Sequence, residues 1–204
     1  MASSRQEIQF GYLKRPTARN TEQDKAKFEV CNHKYTDLSE TRYGVSILND
    51  CKYGISVKDS RMHLSLHKGG VRPDWTGDHG KHRCTYVFHP HRGGFGAEQV
   101  IKPAYELNYP VLTADTAAAK PSFVRVDADN VVIETVKPCE DAQRAYILRM
   151  YEAEGCHCRA ALIFRDSNVK LYATDMLEEN AVPCDTTLSF RPFEIKTIKV
   201  VYGE

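Results

Sequence analysis

Short runs rich in Val, Ile, Tyr and Phe recur along the chain and are cut by Gly, Pro, Asn and Asp, the pattern of strands separated by turns. The alternation is clearest at Met62 to His67, where Met62, Leu64 and Leu66 fall on one face and His63, Ser65 and His67 on the other. Comparable runs stand at 28–33, 43–48, 83–89, 123–126, 131–136, 146–151, 160–164, 169–173, 187–190 and 194–201. They predict an all-β fold of antiparallel sheets packed face to face as a sandwich, in two packed sub-domains with little helix. Ala97 to Leu107 is the one helical stretch, and Pro103 should break it or confine it to a turn or two. The expected division is an extended N-terminal segment (1–27), a first sandwich portion (28–112), a connection (113–120) and a C-terminal sandwich portion (121–204). The connection is placed by the stretch TADTAAAKP, which lacks apolar bulk and ends in Pro.

Composition narrows the classes. A chain of 204 residues with 42% hydrophobic and 27% charged side chains is globular, and at this size roughly 70% of the extended surface can be buried. Lys plus Arg is 28 and Asp plus Glu is 27, a net of +1, so no overall field draws in nucleic acid or an anionic membrane. No apolar run approaches the ~18 residues that span a bilayer. The opening MASSRQEIQF has no apolar stretch of the kind a secretory leader carries. Seven cysteines, odd in number and scattered, read as reduced thiols of a cytoplasmic protein.

Five of the eight histidines, His67, His79, His82, His89 and His91, fall in one stretch with Cys84 among them. Imidazole and thiolate at these spacings suit zinc, but a polar loop followed by a strand explains them more simply. Cys156-His157-Cys158 has no second pair at zinc-finger distance and reads as half-buried thiols. There is no G-x-S-x-G elbow, no Walker loop and no G-x-G-x-x-G. Gly69-Gly70 and Gly93-Gly94-Phe95-Gly96 open no convincing helix and read as bends. The stretch Leu48-Asn49-Asp50-Cys51-Lys52-Tyr53-Gly54 is more specific. Asn, Asp and Gly are what a tight turn needs, while Lys52 and Tyr53 add a donor and an aromatic face suited to a sugar. Structural turn and ligand rim both stand as readings.

Glu7-Ile-Gln-Phe-Gly11, Arg15-Pro-Thr17, Asn20-Thr21, Phe28-Glu-Val30, His33-Lys34 and Asp37-Leu-Ser-Glu40 come first in a longer series. Tyr43-Gly-Val45, the 48–54 stretch, Leu64-Ser-Leu66, Pro90-His91 and Ala104-Tyr-Glu-Leu-Asn108 follow. Glu134-Thr-Val-Lys137, Leu148-Arg149, Tyr151-Glu152 and Arg191-Pro-Phe-Glu-Ile195 complete it. In this order they resemble the C-terminal region of glycoside hydrolase family 38 α-mannosidases, of the cytosolic/vacuolar branch, over about residues 7–201. The chain departs from the family's pattern at Gln23, where a Trp is usual, at Ala18, where the family tends to have His, and after Leu66, where His67-Lys68-Gly69-Gly70 replaces an Arg-containing segment.

The resemblance implies a retaining enzyme whose zinc, or another divalent metal, and Asp nucleophile sit in an N-terminal α/β barrel opening with His-x-Asp. No His-x-Asp occurs here. The chain is therefore expected to be a non-catalytic β domain, a fragment inactive alone, holding neither metal nor catalytic residues. Its partners would be the barrel of the same enzyme and a mannose-containing oligosaccharide, with neither nucleic acid nor membrane; a homo-oligomer is compatible. The alternative is a free-standing carbohydrate-binding module; a zinc enzyme built on the histidines is the third reading. The expected substrate rim is Asn49, Asp50, Lys52, Tyr53, Lys68 and Asp74. If residues 53–57 return as the hairpin partner of 43–48, the loops at 49–53 and 68–74 lie at one end of the sheet.

Overall fold

The computed structural model describes residues 2–113, 122–140 and 144–203, so the connection expected at 113–120 lies, apart from Thr113, outside the described residues. Antiparallel sheets make up both of the units into which the chain divides, Met1–Leu112 and Thr113–Glu204. The all-β sandwich architecture is present.

The first unit carries β1 (Ser3–Ile8), β2 (Gly11–Pro16), α1 (Glu22–Ala26), β3 (Val30–Cys31), β4 (Tyr35–Ser39), β5 (Tyr43–Asn49), β6 (Gly54–Lys58), β7 (Arg61–Ser65) and β8 (Tyr86–Arg92). Five strands form one sheet in the order β2-β1-β4-β5-β8, and β3-β6-β7 form a second. Leu38 and Ile47 of the first sheet meet Val30, Ile55, Val57, Met62 and Leu64 of the second in one apolar cluster. Met62 and Leu64 thus use the face their alternation assigned to them. The opposite face of the five-stranded sheet is covered by a helical segment, a π-type turn at Ala97–Ile101 running into α2 (Lys102–Asn108). Pro103 sits in the first turn of α2, where its missing N–H costs nothing, and the wide turn before it lets the helical run continue through the proline.

Three features differ from the alternation reading. Residues 3–16, expected as plain extended chain, are a hairpin whose first strand pairs with β4. Its buried side chains are Ser4, Gln6 and Glu7, so no apolar period marks it. β4 was hidden likewise by Thr36, Asp37 and Ser39. β6 pairs with β3 and β7, not with β5: residues 50–53 cross from one sheet to the other instead of turning a hairpin.

The second unit carries β9 (Val124–Val126), β10 (Val131–Pro138), β11 (Ala145–Glu152), β12 (Cys158–Phe164), β13 (Val169–Thr174), β14 (Val182–Cys184), β15 (Thr187–Phe190) and β16 (Ile195–Tyr202). β10-β11-β16-β13-β14 face β15-β12-β9. Leu148, Met150, Leu171, Ile198 and Val200 from one sheet close on Ala160, Leu162, Leu188 and Phe190 from the other. Each fully buried large side chain here is worth roughly 1.5–3 kcal/mol. Among the described residues, no helix is long and apolar enough to cross a membrane.

Candidate functional site

Register brings two loops of the first unit to one place. β5 ends at Asn49 opposite Tyr86, which opens β8, and β6 begins at Gly54 opposite Ser65, which closes β7. The chain leaving β5 and the chain leaving β7 therefore emerge side by side. Asp50 fastens them: its N–H donates to Thr85 O at 3.1 Å, and both carboxylate oxygens accept from Thr85 N–H at 3.0 Å. Between the loops lies an open hollow of about 410 Å³, lined by Lys52, Tyr53, His67, Lys68, Asp78 and His82, with Glu29 and Ser65 at its floor.

Its groups are those that bind hydroxyls. Lys68 Nζ stands 3.8 Å from Glu29 Oε2, and Ser65 Oγ donates to Glu29 Oε1. The imidazoles of His67 and His82 lie with centroids 4.8 Å apart, and His82 Nε2 is 2.7 Å from Asp78 O. Tyr53 presents a half-exposed ring whose other side meets the edge of His33, centroids 5.0 Å apart. Two ammonium groups, two imidazoles, two carboxylates and one aromatic face can donate to, accept from and stack on a polyol.

The six expected rim residues do not share one role. Lys52, Tyr53 and Lys68 line the hollow. Asn49 is buried: its Nδ2 donates to His33 O at 2.7 Å and its Oδ1 accepts from Lys52 N at 2.7 Å, so it shapes the crossing. Asp50 spends its carboxylate on Thr85, and hydrogen bonds from the Cys51 thiol and Thr85 N–H hold its pKa below the ordinary range. Asp74 accepts from Thr76 N and Oγ1 at 2.9 and 2.7 Å, which likewise lowers its pKa, and is not among the residues lining the hollow. Glu29 and Asp78, outside the six, also line the hollow. Asp78 looked like any turn residue, and Glu29 gains its place only because Val30 pairs with Ile55 across the sheet.

Four of the histidines fall into two separate pairs, His67 with His82 at the hollow and His89 with His91 on β8. His91 Nε2 donates to buried Asp37 at 2.9 Å and His89 contacts Gln99 O at 2.9 Å, both on the helix-covered side of the sheet. Among the described residues no group of three His, Cys, Asp or Glu side chains gathers to hold a metal.

The short motifs quoted above meet in space. Buried Glu7 accepts from Lys34 N at 2.6 Å and pairs with Lys34 Nζ at 2.5 Å, and that ammonium lies 4.7 Å from the Tyr105 ring centre. Asn108 Nδ2 donates to Asn49 O at 3.0 Å. Four separated stretches, at 7–11, 33–34, 48–54 and 104–108, thus lock together beneath the crossing. In the second unit, the Arg191-Pro-Phe-Glu turn is tied to β11 through Glu152, which accepts from Phe193 N at 3.1 Å.

A family model described as the glycosyl hydrolases family 38 C-terminal domain matches residues 2–76, and one for the family 38 C-terminal beta sandwich domain matches residues 130–198. The chain belongs to glycosyl hydrolase family 38. It is 40% identical over 208 residues to Alpha-mannosidase 2C1 of Homo sapiens, the alignment covering 96% of this chain and 20% of that protein. It is 34% identical to an Alpha-mannosidase of Saccharomyces cerevisiae, covering 96% of this chain and 21% of that one. A solved alpha-mannosidase from Enterococcus faecalis shares the fold, with a TM-score of 0.78 at 16% identity over 98% of this chain and 24% of the other. The chain spans about a fifth of the length of the curated relatives it matches. Within family 38 it corresponds to the C-terminal domain.

Proposed function

We propose that the chain completes a cytoplasmic α-mannosidase that removes terminal α-linked mannose, packing on a catalytic barrel carried elsewhere and supplying part of its substrate rim. The observation that carries this reading is that nearly the whole chain aligns with one fifth of alpha-mannosidases, over stretches matched by C-terminal domain models. Zinc and the nucleophile belong, on this reading, to the barrel. Lys52, Tyr53 and Lys68 position leaving-group sugars by hydrogen bonds and stacking, without proton transfer; Asn49 and Asp50 hold the crossing that presents them, and Asp74 shapes the loop beyond. Seven free thiols accord with a reducing compartment.

A chimera tests it. Replacing the matched fifth of Alpha-mannosidase 2C1 from Homo sapiens with this chain is expected to give an enzyme active on aryl α-mannosides, while the chain alone gives no turnover. In the chimera, Lys52→Ala with Lys68→Ala should lower kcat/KM for mannose disaccharides about ten-fold, the loss of ~1.4 kcal/mol of rim contact, with less effect on aryl substrates. Unchanged disaccharide kinetics would remove the rim role. Turnover by the purified chain alone, abolished by chelator, would overturn the non-catalytic reading.

Packing on a partner also accounts for an apolar hollow of about 270 Å³ between Leu64, Leu66, Tyr86 and Phe88, the last 71% exposed. Monomers seldom leave such a patch bare. The chain alone is expected to bind a hydrophobic dye with its β circular dichroism intact, and Phe88→Ser to reduce that signal markedly. Equal dye binding by the variant would place the patch elsewhere.

A further inference from the structure

Toward the other end of β6 from the open hollow, a smaller and more enclosed cavity of about 120 Å³ is lined by Gln6 and Arg15 of the β1–β2 hairpin and by Val57. Its charge is one-sided. Lys14, Arg15, Arg19 and Lys27 line it against a single acid, Asp24. Asp24 is already engaged, accepting from Thr21 N at 3.0 Å and Thr21 Oγ1 at 2.8 Å. Among the described residues, none of the four cations forms a salt bridge. Arg19 is held in place by donating to Phe28 O and Ser56 Oγ, both at 2.9 Å.

Two buried polar atoms on the wall lack partners. Gln6 is 2% exposed; its Nε2 donates to Ser4 Oγ at 3.1 Å, while its Oε1 has none. Arg15 Nε is buried and equally unpaired. Ser4 pairs with Arg15 and Gln6 with Leu13, so the two orphans are diagonal neighbours on one face of the hairpin. A buried donor and a buried acceptor left unsatisfied are each costly, and native folds complete such groups with an ion or water.

We infer that this cavity is a binding site for a small oxyanion of the phosphate class, supplied as inorganic phosphate or as the phosphate of a sugar monoester. A tetrahedral oxyanion matches the planar guanidinium groups, which prefer bidentate pairing with such oxygens. Hydrogen phosphate adds what the orphans ask for, an acceptor for Arg15 Nε–H and an O–H donor for Gln6 Oε1. The volume admits such an ion with a few waters and excludes a polymer.

Calorimetric titration of the full 204-residue chain with inorganic phosphate, a hexose phosphate and sulfate tests this. Saturable one-to-one binding is expected, weakening as salt rises. Arg15→Gln should weaken it about ten-fold or more, the loss of one charge-assisted hydrogen bond. Exposed Lys27→Gln, which touches no core, should weaken it a few-fold while folding normally. Tighter binding of the hexose phosphate than of phosphate identifies the ester as the ligand, and equal binding identifies the free anion. Sulfate, lacking the O–H, should bind more weakly, and equal sulfate binding would overturn the assignment to phosphate. Absence of saturable binding, or unchanged affinity in both variants with circular dichroism intact, would overturn the site.

Discussion

Gly44→Ala is expected to destabilise the first unit by about 4 kcal/mol, far more than a typical surface change. Gly44 lies directly across from His91 in the β5–β8 ladder, and the imidazole folds over its Cα to reach Asp37. A methyl there would stand 2.5 Å from His91 Nε2 and 2.6 Å from Ser39 Cβ. Both neighbours are pinned. Asp37 Oδ1 accepts from Ser46 Oγ at 2.8 Å and from His91 Nε2, while its Oδ2 accepts from Ser39 Oγ at 2.7 Å, all with the carboxylate fully buried. Ala in a strand would ordinarily be favoured over Gly by roughly 0.5–1 kcal/mol. The clash and the partial loss of a buried charged hydrogen-bond set, about 3–5 kcal/mol, outweigh that gain. Urea unfolding, with hydrogen exchange read at β4, β5 and β8, measures the effect. Gly44→Ala combined with His91→Ala should lose about 1–3 kcal/mol less than the sum of the two single losses, because the second change removes the obstacle. Strict additivity would show that the ring is not what Gly44 accommodates.

Asp37 also shows where reading the sequence stops. Alternation finds a strand when one face is apolar, as in β7, β11 or β16, and it found those within a residue or two. It passes over β1 and β4, where Ser4, Gln6, Glu7, Thr36 and Asp37 are buried and break the apolar period; Glu7 and Asp37 are held there by hydrogen bonds from Lys34 N, Ser39 and Ser46 that only the folded sheet supplies. Nor does a two-residue period say which sheet a strand joins, so residues 54–58 looked like the return of a hairpin and are instead the middle of the second sheet. At the candidate site, Lys52, Tyr53 and Lys68 were legible as groups able to bind, being long or aromatic side chains in turn-like stretches. That Asn49 and Asp50 are occupied by His33 O, Lys52 N and Thr85 N was not, since those partners are fixed by register. The motif resemblance reached further than periodicity because it carries that register implicitly.

The same applies to Tyr151-Glu152 and Arg191-Pro-Phe-Glu, forty residues apart in the chain and joined by one carboxylate, and here the second large effect is expected. Glu152 is fully buried at the end of β11. Its Oε1 accepts from Glu154 N at 2.8 Å and Asn130 Nδ2 at 3.0 Å; its Oε2 accepts from Gly155 N at 2.7 Å, Cys156 N at 3.0 Å and Phe193 N at 3.1 Å. The turn it gathers is tight: Gly155 has φ +78°, and a side chain there would meet the Phe193 ring at 2.7 Å. Glu152→Gln preserves the shape but leaves one oxygen for these five N–H donors and the Cys156 thiol, and turns an NH2 against the rest. A loss of about 3–5 kcal/mol in the second unit follows, as for other buried charges stripped of compensation. Acid should act in the same direction. Burial on its own would raise the Glu152 pKa, but the N–H groups of Phe193, Glu154 and Cys156 with the Asn130 amide outweigh it and hold the folded-state value below the ordinary one. The unfolded chain therefore takes up the proton first. The clamp's contribution is complete above the unfolded glutamate value of about pH 4.3 and drains away as pH falls through the lower folded-state value. Tm of the native chain and of Glu152→Gln should consequently differ widely at neutral pH and converge in acid, where protonated Glu152 resembles the amide. A gap that stays constant from neutral pH into that acid range would mean that the carboxylate charge is not what ties the two turns together.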